Sequence, residues 1–102
     1  MTVNVQSVNF KADVKLVDFV EERLAKLSHF YDNLINAHVF LKVDNNHSRE
    51  NKIAELKLTV PGHDFIVTKE CKSFEEATDQ AADAMTRLLI KHKEKQQENH
   101  RR

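Results

Sequence analysis

The chain of 102 residues holds one proline and one glycine, and the two are neighbours, Pro61-Gly62. Proline presets φ at the second position of a tight turn and glycine supplies the positive φ needed at the third, so the pair predicts a type II turn. The runs on either side read as strands. Residues 53–60 place Ala54, Leu56, Leu58 and Val60 on one face and Glu55, Lys57 and Thr59 on the other, the period of a half-buried strand. Residues 64–71 follow, with Phe65 and Val67 inward and Ile66 outward. A lone glycine also excludes a glycine-rich phosphate loop and the dinucleotide fingerprint, each of which needs several.

Alternation recurs upstream. Residues 35–44 set Ile35, Ala37, Val39, Leu41 and Val43 against Asn36, His38, Phe40 and Lys42, and the polar loop DNNHSRENK joins them to the next strand. In residues 2–10, Val3 and Val5 give way to Val8 and Phe10 in the opposite phase, which predicts a bulge or bend near Ser7. Residues 14–31 have helical periodicity instead. Val17, Val20, Leu24, Leu27 and Tyr31 form the stripe, Leu16, Phe19 and Phe30 widen it, and Asp13 is placed to cap it. The capping-box pattern Ser73-x-x-Glu76 opens a second helix. Its stripe is Phe74, Ala77, Ala81, Met85, Leu88 and His92, and it is expected to run to about residue 95.

The order β-α-β-β-β-α predicts an α+β fold. A helical crossover makes the first two strands parallel, and two hairpins add antiparallel strands. The result is a four-stranded mixed sheet with both helices packed on one face. His38, Phe40, Lys42, Glu55 and Lys57 then lie on the solvated face. Residues 1–95 form one domain and 96–102 a frayed basic tail. At 11.9 kDa such a chain buries about 65% of its unfolded surface, enough for one modest core.

The motifs of common chemistry are missing. There is no HExxH, CxxC or GxSxG. The six histidines include no pair at the i,i+3 or i,i+4 spacing of helix-borne metal ligands. No metal, cofactor or small-molecule substrate is expected, and the chain does not read as an enzyme. Cys71 is the only cysteine; it excludes an internal disulfide, fits the reducing cytoplasm, and reads as a buried bystander. No apolar run approaches the ~20 residues of a membrane span, and the N-terminus lacks the regions of a secretory signal.

Sixteen basic and sixteen acidic residues cancel, but they are unevenly placed. Residues 87–102 carry six basic side chains against two acidic, a net of +4, and residues 1–86 carry the balancing −4. Glu75, Asp79 and Asp83 recur every four residues, and Arg87, Lys91 and Lys95 continue the row. Acid first and base last complements the helix dipole, and Asp83 with Arg87 is a favourably oriented pair. The basic half, with His92 and Lys93 beside it, joins Arg23 and Lys26 of the first helix. A shared surface of that kind suits a phosphate backbone; a merely solvated charged face is the plainer alternative.

At this point the chain resembles a family, the short ribosome hibernation promoting factors, also called ribosome-associated translation inhibitors or sigma-factor modulation proteins. Three stretches carry the resemblance: NFKADVKLVDFVEERLAKL, VFLKVDNNHSRENKIAELKLTVPG and KSFEEATDQAADAMTRLLIKHKEK. It implies a β-α-β-β-β-α fold like that of double-stranded RNA-binding domains with an extra leading strand. It also implies a cytoplasmic protein that occupies the mRNA and tRNA channel of the small ribosomal subunit and inhibits translation in slow-growing, stressed or stationary-phase cells. The partners implied are the small subunit and its rRNA, with a helper factor where ribosomes pair, and no membrane. The resemblance assigns rRNA phosphates to Arg23, Lys26, Arg87, Lys91, Lys93 and Lys95, with His92 as a peripheral contact.

The chain departs from the family pattern at Ala84 and Ile90, where the family often has basic residues, and at Asp13, where it has threonine. Long members continue into a dimerisation domain, so this chain is not expected to pair ribosomes through its own tail. Two other readings stay open. One is a generic structured-RNA-binding module acting away from the ribosome, and the other is a protein-interaction module using the exposed sheet face around Phe40.

Overall fold

The computed structural model of the chain describes residues 2–44 and 49–100, with side chains described through Lys95. The centre of the expected polar loop, 45–48, and the tail residues 101–102 lie outside the described residues. The elements are β1 (Thr2–Val8), α1 (Val14–Ala25), a 3-10 turn (Lys26–His29), β2 (Asn36–Val43), β3 (Lys52–Val60), β4 (His63–Cys71) and α2 (Phe74–His100). The sheet order is β1-β2-β3-β4. β1 runs parallel to β2, and β2-β3 and β3-β4 are antiparallel hairpins.

The core lies between the helices and one sheet face. Val20 and Leu24 of α1, and Leu27 just beyond it, pack over Ala37, Val39, Leu41, Ala54, Leu56 and Leu58, with Met85 and Leu89 of α2. Both helix starts are capped by the side chains that their patterns indicated. The Leu16 N–H donates to Asp13 Oδ1 at 2.8 Å, and the Glu76 N–H donates to Ser73 Oγ at 3.1 Å. Gly62 has φ +77°, the left-handed conformation that the turn needs at that position.

Several details differ from the sequence reading. The bulge or bend expected near Ser7 is a bend and lies two residues on, because the β1–β2 register is unbroken from Thr2↔Asn36 to Val8↔Lys42. The phase reverses at Asn9 instead, whose φ is +61°. Asparagine tolerates that region, and the kink returns Phe10 to the core side, where its ring stacks on Phe74 at 4.9 Å. α1 is also shorter than its stripe, since α-helical geometry ends at Ala25 and tightens to 3-10 through His29. Leu27 and Tyr31 remain buried, whereas Phe30 is exposed. Ile35 just precedes β2 and Val43 ends it, and both are exposed.

In α2, Leu89 rather than Leu88 enters the core, with exposures of 0% and 38%. Ala82, Met85 and Leu89 step by three and four along the buried face, and Leu88 sits ~100° round from Leu89. The helix also continues past residue 95, its backbone being helical to His100. This length sets the 52 Å long axis of the molecule. The surface of 6823 Å² accordingly exceeds the ~6,000 Å² of a compact chain of this mass.

Candidate nucleic-acid interface

The two helices run in the same direction. Phe19 and Glu75 wall one cleft near their starts, Arg23 meets Asp79 and Asp83 midway, and the Tyr31 ring lies 5.7 Å from that of His92 near the far end. Parallel packing brings the later part of α1 and the 3-10 turn, with Lys26, alongside the basic half of α2.

Arg23 is the hinge of this arrangement. Its Nε donates to Asp79 Oδ1 at 3.0 Å and its second guanidinium nitrogen to Asp83 Oδ1 at 2.7 Å, and its side chain is 23% exposed. One forked cation thus ties α1 to two successive carboxylates of α2. Asp83, paired with Arg87 in the sequence reading, is bonded across the helix interface.

Beyond Asp83 the row changes character. Arg87, Lys91 and Lys95 are exposed, and among the described residues none of them forms an ion pair. An i,i+4 row winds by ~40° per step. A row that starts against α1 at Asp79 therefore crosses the outer ridge at Arg87 and descends toward β4. There Lys91 and Lys95 border a cleft with His63, Phe65, Leu88 and His92. Lys93 is also exposed, but two residues are ~200° of helical turn, so it lies on the opposite side of α2 from Lys91. The predicted cations share one end of the molecule without forming a single flat patch.

His92 is half-buried in a ring cluster. Its imidazole lies 5.3 Å from Phe65, edge-on, and 5.7 Å from His63, nearly parallel. His63 and Phe65 were not among the sequence candidates. Their only sequence signal is position, immediately after the Pro61-Gly62 turn, which carries β4 back toward the basic end of α2. Of the departures noted above, Ala84 is half-buried and Ile90 is exposed, so the second leaves an apolar residue on the surface of the basic half.

The remaining groups are quiet. Burial, and next the nearby Glu76 carboxylate, push the Cys71 thiol up from its ordinary range, which keeps it protonated and unreactive. Among the described residues no three His, Cys, Asp or Glu side chains are grouped to hold a metal, and no helix is long and apolar enough to cross a membrane. On the uncovered sheet face the charges pair: Lys42 with Glu55 at 3.7 Å and Lys57 with Asp64 at 3.9 Å. His38 and Phe40 stack there at 4.4 Å.

These features define an α+β domain whose sheet is covered on one side and which presents Arg87, Lys91 and Lys95, without an ion pair among the described residues, toward the far end of two parallel helices. The family model described as Sigma 54 modulation protein / S30EA ribosomal protein matches residues 3–97, and the chain belongs to that family. It is 34% identical over 97 residues to a ribosome hibernation promoting factor of Pseudomonas putida, covering 95% of this chain and 91% of the relative. It is 33% identical over 96 residues to the factor of the same name in Azotobacter vinelandii, covering 94% and 86%. Two solved structures share the fold. The N-terminal domain of Thermus thermophilus Protein Y matches with TM-score 0.78 at 24% identity, over 90% of this chain and 99% of that one. A ribosomal subunit interface protein from Coxiella burnetii matches with TM-score 0.80 at 17% identity, over 91% and 98%.

Proposed function

We propose that this chain binds the small ribosomal subunit in the channel used by mRNA and tRNA and inhibits translation there during slow growth or stress. The observation that carries the reading is the change along one helical row, from carboxylates bonded to Arg23 to the cations Arg87, Lys91 and Lys95. Cations held on a rigid helix suit rRNA, where recognition rests on the shape and phosphates of an A-form backbone more than on base edges. Each phosphate neutralised releases condensed counterions. The names of the relatives, ribosome hibernation promoting factors, support the same reading.

In this reading Arg87, Lys91, Lys93 and Lys95 of α2 and Lys26 after α1 contact phosphates. Arg23 contributes chiefly by position, since two carboxylates offset its charge while it fixes α1 against α2. His92 braces the end of α2 through its ring contacts. No side chain is assigned a catalytic role, and the protein works in the cytoplasm, where ribosomes are.

Co-sedimentation with purified small subunits over a range of salt tests this. Wild type is expected to co-migrate, to be displaced by mRNA or tRNA, and to lose affinity steeply as salt rises. Arg87→Glu with Lys91→Glu is expected to weaken binding by about 100-fold, as reversal of two phosphate contacts should, with an unchanged melting temperature. Retention of wild-type affinity by the double variant would remove these residues from the interface. Equal affinity for free duplex RNA would favour a general RNA-binding module.

A further inference from the structure

The cleft beside β4 is built for more than phosphate. Its volume is about 250 Å³, just under the ~300 Å³ at which sites for drug-sized ligands begin. The His63 and His92 ring planes are only 15° apart, and Phe65 stands edge-on to both, at 71° to His63 and 81° to His92. Phe65 is buried and fixes the orientation of both imidazoles, while His63 is exposed at the mouth with Leu88. Lys91 and Lys95 rise on the border, one helical turn apart, and among the described residues no carboxylate lines the cleft.

Oriented rings beside cations suit a nucleotide better than either component alone suits it. A base has a π face that stacks on a ring whatever its sequence, and lysines hold the backbone that carries the base. A purely structural histidine at the end of a turn needs neither the exposure of His63 nor the cationic border. An acidic peptide would meet the lysines but would leave the ring faces unused.

We propose that this cleft takes one unstacked nucleotide of RNA, its base laid against the parallel imidazoles of His63 and His92 and its phosphates held by Lys91 and Lys95. The proposal rests on the reading of this end of the molecule as an rRNA interface, and adds to it a base-stacking position beside the phosphate contacts. Stacking of this kind is sequence-tolerant, and among the described residues the lining holds no amide or carboxylate side chain to read a base edge.

Two measurements test the cleft separately from the ribosome reading. In the first, His63→Ala is expected to weaken small-subunit binding at least fivefold with an unchanged salt slope. His63→Phe, which keeps a ring and cannot carry a charge, should restore it. Lys91→Ala with Lys95→Ala should instead flatten the salt slope by up to about 2. In the second, the free protein is titrated by NMR with the single-stranded hexanucleotide of adenosine, and separately with inorganic phosphate. The oligonucleotide should shift the ring signals of His63, Phe65 and His92 together, and phosphate should leave those rings unmoved. Wild-type affinity in His63→Ala, an equal loss in His63→Phe, or ring signals indifferent to the oligonucleotide each overturns the cleft. Failure of wild type to bind subunits overturns the ribosome reading, and the oligonucleotide titration still decides the cleft.

Discussion

The two halves of α2 carry opposite charges on one row, and they use them differently. In the first half, Asp79 and Asp83 face α1 and are bonded to Arg23, and Ala77, Ala81 and Ala82 are buried. In the second half the last fully buried residue among those described is Leu89, and the cations beyond it have solvent on the outside and a cleft on one side. An acid-to-base gradient along a helix is usually explained by its dipole. Here the gradient also divides labour, with the acidic half locking the fold and the basic half left available for a partner.

Substitutions can break or sharpen that division. The largest effect is expected at the seam itself. Met85→Ala empties a fully buried site between the helices and sheet and should cost about 2–5 kcal/mol in urea unfolding, while the folded fraction keeps its affinity for subunits. Arg23→Ala should cost about 1 kcal/mol, since the side chain is only partly buried and its partners are half-exposed. Arg23→Lys should recover only part of this, because one ammonium does not reproduce the fork. If Arg23→Ala leaves stability untouched yet weakens subunit binding as much as Arg87→Ala does, the acidic half is part of the contact surface and the division fails.

Thr78 sharpens the picture of the locking half. Its hydroxyl is buried and has no hydrogen-bond partner among the described residues. Thr78→Val keeps the shape and removes the unsatisfied group, so stability should rise by about 1 kcal/mol, read as a higher urea midpoint. The smallest effect is that of pH at Cys71. Burial raises the folded thiol above its unfolded value, so the native state holds the proton after the unfolded chain has lost it. This contribution to stability is fully present below the ordinary thiol range of about 8.5 and declines as pH rises from there toward the folded value. Urea melts between pH 7 and 10 should show the decline in wild type, and Cys71→Ala should flatten it.

What was legible in the sequence was whatever is periodic or local. Alternation over residues 35–44 and 53–60, the Pro61-Gly62 turn and the side-chain caps Asp13 and Ser73 located the last three strands and the starts of both α-helices. The errors came where a feature depends on a neighbouring element. Leu88 and Leu89 are equivalent to a periodicity count, and only the direction in which α2 crosses the sheet selects Leu89. Arg23 and its carboxylates are 56 and 60 positions apart, and their meeting follows from the helices running in the same direction, which no local pattern encodes. The candidate cations were visible as a charge run. That the row winds off the ridge into a cleft walled by His63 required the turn before β4 to be placed in space.

Among the described residues β1 pairs with only one other strand, and that strand follows α1 in the sequence, as the pairing of Thr2 with Asn36 shows. β2, β3 and β4 form a meander of neighbours in sequence and close through local hairpins. Non-local pairings are the slow ones to form, so of the four strands the one synthesised earliest is the one that must wait longest for its place. The same edge should be the first to let go, its amide protons exchanging with solvent while those of β3, bonded on both sides, stay protected.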